Sequence, residues 1–565
     1  MAARTDRTLH QLEDAKRRYT RGEPVAFEPL LRGLGRSRFN DPAQLIRFHD
    51  LLLFLRAFAP SARVISLADR LLRTFVQRVR RMEESGADMS AFEPEDVSGM
   101  ASTTVWDTFT YEVARWLWRK YPGSLTAELD EEEHSGRMAA TFPRFLPLLE
   151  DDSLVEADVP YLKWLHAADR GKDLKWLMDR FEKLPLPISH KTEIYDALGT
   201  TLKWDLGSSP ASRTLSRWPV KRHFFHRAGF LQRRDVSLER ELASPDISFR
   251  RLSRREAEKV LDMERTAVTI RYRELWGTTR GDPAQVIEAR PGRGVSIFLW
   301  GLAPDRRLPL RAYHAGLTVK NGVPIGYIED IGLFEWVEIG FNTFYAYRDG
   351  ESAWIYSKIL HLFKQLYGYT CFSVYPYQLG AGNEEAIKSG AFWFYRKLGF
   401  RPGRPELLAL AEREEAKIAS DPKHRTSAAT LRKLAAGHVF YEIAGTRRGL
   451  FDRFSTRNLG ISVQHEMARK CDGDPEAFRR TARQRLAQIL GIGLERWTKL
   501  EQKAFDDWAA ALAPVPGLAR WSDEEKRALV RIIRSKAARE ETAYLRRLQA
   551  HDRLKRAILE LGSAR

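Results

Sequence analysis

An α/β protein with a central mixed sheet, flanked by helical regions before and after it, is the class this sequence predicts. Three observations predict it. Between Val295 and Tyr345 four strand-like segments follow one another, with Asn321-Gly322, the signal of a tight hairpin, between two of them. After them comes a long amphipathic segment opened by Gly350 and stopped at Gly368, then a short strand and another helix. On either side of this block, apolar residues recur three and four apart, the spacing of a helix face.

Taken in order, residues 1 to about 240 read as helices joined by short turns. Asp41-Pro42 is a helix start, with the periodic run reaching Phe58 before Pro60. Arg63 to Met82, Thr103 to Lys120 and Val159 to Phe181 repeat the pattern, and Lys163-Trp-Leu and Lys175-Trp-Leu recur without making a solenoid. Near Asp246 the pattern changes. Ile247 to Leu252 alternates like a strand, and Ser253 caps a helix through Glu256, Val260 and Met263. Strands are expected at Val295–Leu302, Arg311–Val319, Val323–Leu333, Glu338–Tyr345 and Cys371–Tyr375. His438 to Ile443 supplies a last strand after a helical insertion near 405–436. The expected division is therefore a helical domain over 1–240, an α/β domain over 246–445 and a basic helical region over 447–565, with an α/β sandwich rather than a doubly wound sheet at the centre.

Composition narrows the function classes. The chain has 565 residues, 43% apolar and 11% aromatic, which suits several globular domains. Two cysteines, Cys371 and Cys471, stand far apart without metal-type spacing, so a disulfide framework is not expected and a reducing cytoplasm is. Leu51–Leu55 is too short to span a bilayer, and the start carries no apolar signal region. The net charge is +18, of which the stretch from Arg447 supplies about +10, with 26 Lys/Arg against 16 Asp/Glu. Arginine interleaved with acid on helices reads as a salt-bridged face, and nucleic acid stays a lesser alternative. His223 and His226 lack a third ligand, so no metal is expected.

Two segments carry candidate chemistry. Tyr347-Arg348-Asp349-Gly350-Glu351-Ser352-Ala353 lies where a strand turns into a helix, an end that offers unpaired N–H groups and positive potential to a phosphate. Ala391-Phe-Trp-Phe-Tyr395-Arg-Lys-Leu-Gly399-Phe400 stacks a small residue over a tyrosine on one helix face and ends at glycine. A phenol can donate a proton yet stays protonated at neutral pH.

Together these segments resemble the GNAT acetyltransferase superfamily over residues 246 to 445. The family's pyrophosphate loop runs Gln/Arg-x-x-Gly-x-Gly/Ala; here the middle glycine is Gly350, the first position is Tyr347 and the last Ser352. The resemblance implies a central GNAT-like mixed sheet with helices on both faces. It implies acetyl-CoA or another acyl-CoA as co-substrate, bound by residues 347–353 and by Asn383. It implies transfer of an acyl group, most simply acetyl, to a small-molecule or protein amine. Tyr395 would protonate the departing thiolate. Glu338, ahead of Glu329 and Asp330, is the expected base for the amine. A non-catalytic GNAT-like scaffold that binds acyl-CoA or partner proteins is the rival expectation. The acceptor, the acyl chain and the oligomeric state are not written in these motifs.

Overall fold

The computed structural model describes residues 2–129, 131–142, 160–169 and 173–563, and the chain is mixed α/β. It divides into two compact units. The first comprises residues 1–228, 262–279 and 321–324; the second comprises 229–261, 280–320 and 325–565.

The first unit begins with helices, as its periodicity predicts. Pro42–Ala57 starts where the Asp41 carboxylate accepts the Ala43 N–H at 2.9 Å. The run through Met82 is broken at Thr74 into two helices, Ala62–Arg73 and Phe75–Glu84. The expectation of an all-helical region is corrected by a three-stranded antiparallel sheet. It comprises β1 (Thr104–Asp107), β2 (Leu125–Glu128) and β3 (Thr201–Asp205), in the order β1-β3-β2. The segment from Thr103 is thus a strand before it is a helix at Tyr111–Lys120. These strands are too short to outweigh the helical periodicity around them. Burial decides them: Leu202 and Trp204 of β3 and Val105 of β1 point into a core with Tyr111, Phe181 and Tyr195. The expected helix from Val159 falls partly outside the described residues; within them it forms Tyr161–Asp169 and Asp173–Lys183.

The second unit is built on a nine-stranded sheet. Its strands are β4 (Phe249–Arg251), β5 (Ile287–Gly292), β6 (Val295–Gly301), β7 (Ala312–Lys320), β8 (Val323–Leu333), β9 (Trp336–Thr343), β10 (Cys371–Val374), β11 (Arg401–Pro402) and β12 (Val439–Glu442). They lie in the order β11-β12-β10-β9-β8-β7-β6-β5-β4. β9 and β10 run parallel, whereas the β4–β5, β5–β6, β6–β7, β8–β9, β10–β12 and β11–β12 pairs are antiparallel. Parallel neighbours need a crossover, and the helix Ser352–Tyr367 supplies it, closed by Gly368 at φ 77°. Asn321 and Gly322 both take positive φ, 48° and 83°, as a tight hairpin demands.

Two strands lie outside the sequence expectation. β5 contains Pro291-Gly292, which reads as a turn; a register shift between Ala289 and Gly292 accommodates it. β11 is two residues long and is held by Arg401, whose guanidinium bonds Asp452 at 2.9 Å and also pairs with Glu442. The insertion forms helices Pro405–Ser420 and Ala428–Leu434. Six helices follow from Thr456 to Gly562, and their arginines pair with acid, among them Arg483–Asp506 and Arg534–Glu501. Among the described residues, no helix is long and apolar enough to cross a membrane.

Candidate functional site

The site grows from one irregularity of the sheet. β9 and β10 pair over three rungs only: Cys371 with Trp336, Phe372 with Val337 and Ser373 with Glu338. β9 continues to Thr343 and keeps its β8 partner as far as Thr343–Gly326, whereas β10 stops at Val374 and turns into the short helix Pro376–Leu379. Residues 339–343 of β9 therefore have a strand on one side only. Beside them, a Cβ on Gly340 would lie 2.9 Å from Nε2 of Gln378, so the Gln378 amide occupies the start of the gap. Its Oε1 is buried with no hydrogen-bond partner.

The expected phosphate loop lies at the end of β9. A short 3-10 turn, Tyr345–Tyr347, separates strand from helix, with Tyr347 buried and the Gly350 N–H bonded to the Tyr347 carbonyl at 2.9 Å. Arg348 lies over the Tyr345 ring, donates to the Thr343 carbonyl at 3.2 Å and pairs with Glu385 at 2.5 Å. Asp349 is exposed. Ser352 and Ala353 form the first turn of the Ser352–Tyr367 helix, whose leading N–H groups have no intrahelical acceptor. The Ser352 hydroxyl lies 3.4 Å from that of Thr343.

Glu351 does not face outward with them. It is 1% exposed, and its carboxylate accepts from Leu231 N at 3.0 Å and from Arg293 Nε at 3.0 Å. Lys320 Nζ lies 3.8 Å away and donates to the Arg293 carbonyl. Burial pushes the Lys320 ammonium down to about 7, against the pull of Glu351. One carboxylate thus answers two cations. Its charge, which on sequence alone opposes a pyrophosphate, is consumed inside the unit.

Tyr395 is buried on the helix Ala391–Arg396, where its ring meets Tyr356 at 5.6 Å and Phe400 at 5.7 Å, both edge-on. Among the described residues no hydrogen-bond partner falls to its hydroxyl, and burial raises its pKa, so it is a neutral phenol. The neighbouring Tyr356 hydroxyl is fully buried and likewise unpartnered. Gly399 has φ 101°, the backbone that ends this segment as its sequence predicts. Asn383 accepts the Ala386 N–H at 3.1 Å as the cap of Glu384–Ser389; the Arg348–Glu385 pair brings this helix to the 347–352 loop.

Glu338 stands elsewhere. Phe341 of β9 packs on Tyr356 at 5.4 Å, and strand alternation puts Glu338 on the opposite face from Phe341. Tyr395 and Glu338 are therefore not brought together on one face. Glu338 instead meets His438, Nε2 to Oε2, at 2.8 Å. Glu329 accepts from the Tyr313 hydroxyl, and Asp330 pairs with His314 at 3.0 Å in a sealed position. Burial raises the Asp330 pKa, and His314 opposes that rise.

Arg293, Lys320 and His438 are the residues that sequence reasoning missed. Arg293 lies in the Gly292-Arg-Gly294 turn and Lys320 at a hairpin tip, positions that read as solvated. His438 is a hundred positions from Glu338, and only the order β9-β10-β12 joins them. Among the described residues no cluster of three metal-ligating side chains occurs. The chain matches no protein-family model, no curated protein and no solved structure closely enough to argue kinship.

Proposed function

We propose that the second unit is an acyl-CoA-dependent N-acyltransferase, most simply an N-acetyltransferase acting on an amine, with the GNAT arrangement its sequence resembles. The observation that carries this reading is the parallel β9–β10 pair that holds for three rungs and stops where β10 ends, leaving the rest of β9 without a neighbour on that side. The unpaired edge of residues 339–343 offers backbone groups to an extended, amide-bearing chain such as pantetheine. At its far end lies the N-terminus of the Ser352–Tyr367 helix, which favours a pyrophosphate. The burial of Glu351 supports the same reading by removing a charge that would repel it.

In this reading the thioester lies in the gap and a strand N–H polarises its carbonyl. The neutral amine attacks, the C–S bond breaks, and the Tyr395 hydroxyl gives its proton to sulfur. Its two free cysteines suit a reducing cytoplasm. The rival reading, a scaffold without catalysis, draws on the Gly350 N–H, which is spent on Tyr347 rather than offered to a ligand.

Calorimetry with acetyl-CoA separates the two. Saturable binding is expected, and a Tyr395→Phe variant whose turnover falls about a hundredfold while binding holds. Absence of binding to the wild-type chain would overturn it; binding with no thiol release from any amine would favour the scaffold.

A further inference from the structure

Two carboxylate–imidazole pairs lie on this sheet, and their surroundings differ. His314 and Asp330 are 4% and 0% exposed, with the imidazole stacked 4.0 Å from Tyr367, so that pair is sealed in the core. His438 and Glu338 are 34% and 18% exposed. Their position is set by register. Glu338 stands opposite Ser373 on the last rung that joins β9 to β10. Val374, the last residue of β10, stands opposite Val439 of β12, which places His438 one residue beyond the end of that ladder. The imidazole is thus delivered to the point where the β9–β10 pairing ends.

Its orientation is fixed as well. Nε2 lies 2.8 Å from Oε2 of Glu338, while the ring meets Tyr375 edge-on at 5.4 Å. A carboxylate on Nε2 holds the proton there and leaves the lone pair on Nδ1, the arrangement of an imidazole ready to accept a proton. Among the described residues, no hydrogen-bond partner falls to Nδ1. A cross-strand pair serving stability alone needs neither the opening nor the free nitrogen.

We propose that His438, oriented by Glu338, is the general base toward the acceptor amine, an inference that rests on the acyltransferase reading. As the amine nitrogen bonds to the thioester carbonyl carbon, its proton passes to Nδ1 of His438. The C–S bond breaks with its electron pair on sulfur, and the thiolate takes the Tyr395 proton. The imidazolium then releases its proton to water and the phenolate regains one, so atoms and charge balance. Glu338, the base expected from sequence, becomes a positioning residue.

The full-length chain tests this with acetyl-CoA and two acceptor probes: propylamine, protonated at neutral pH, and hydroxylamine, largely neutral there. His438→Gln is expected to bind acetyl-CoA within about twofold of wild type yet lose about a hundredfold in kcat with propylamine, and less with hydroxylamine. Glu338→Gln should fall between them, with KM little changed. An unchanged propylamine kcat in His438→Gln overturns the base while leaving the acyltransferase reading intact. No acetyl-CoA binding, or no thiol release by wild type with either amine, overturns both. Should His438→Gln unfold, His438→Asn is measured; acetyl-CoA affinity and thermal midpoint that fall together in both variants assign a structural role and overturn the proposal.

Discussion

Nε of Arg293 donates to Oε2 of Glu351 at 3.0 Å, and this contact ties the turn before β6 to the N-terminus of the crossover helix. Glu351 precedes the first helical residue, so its anchorage sets where the leading N–H groups point. Substituting it takes the carboxylate away from the buried Lys320 ammonium and from the partly exposed Arg293 guanidinium. Glu351→Gln is expected to destabilise the second unit by about 3 kcal/mol. Urea unfolding measures it; a change within about 0.5 kcal/mol would mean that the anchor is not needed.

Lys320 makes the same cluster sensitive to pH. Its ammonium is pushed from 10.5 to about 7 in the folded chain. Between these values the unfolded chain holds a proton that the folded chain has released, so stability rises as pH is raised through the window. The slope is at most about 1.4 kcal/mol per pH unit. Below pH 7 the ammonium is charged in both states, and the burial penalty is present in full. Wild type should therefore gain on Lys320→Met between pH 7 and pH 9 in paired urea titrations. A constant or reversed difference would contradict the assignment.

Tyr356 buries a hydroxyl with no partner. Removing a buried, unpaired polar group relieves its desolvation penalty, so Tyr356→Phe is expected to stabilise the chain by about 1 kcal/mol. Thermal unfolding with matched denaturant curves checks it. A loss of stability would show that the hydroxyl is satisfied in solution.

Gly399 holds φ 101°, and a Cβ there would also lie 3.3 Å from the Tyr441 ring. Gly399→Ala should cost about 1–3 kcal/mol through backbone strain. Chemical unfolding reads this directly, and a neutral result would mean that the turn relaxes without loss.

Much of the second unit is legible in the sequence because its signals are local. Consecutive strand-like segments mark β6 to β9, Asn321-Gly322 marks the hairpin, Gly368 ends its helix, and Gly399 closes the turn that follows Arg396. What fails to show is set by distance. β5 hides behind Pro291-Gly292 and β11 is two residues long. β1, β2 and β3 are decided by the core around Trp204 rather than by their own four or five residues. The site divides along the same line. Tyr395, Gly350 and Glu338 announce themselves by motif or position, whereas the ion pairs of Glu351 and the contact of His438 with Glu338 depend on which strands become neighbours.

An acyl-CoA bound along the unpaired edge of β9 and against the helix that follows would shield the backbone there from solvent. Hydrogen–deuterium exchange on the full chain, with and without acetyl-CoA, tests it most directly. Slowed exchange is expected in peptides covering 339–343 and 350–354, with β4 to β6 unchanged. Exchange unaltered at 339–343 under saturating acetyl-CoA would contradict it.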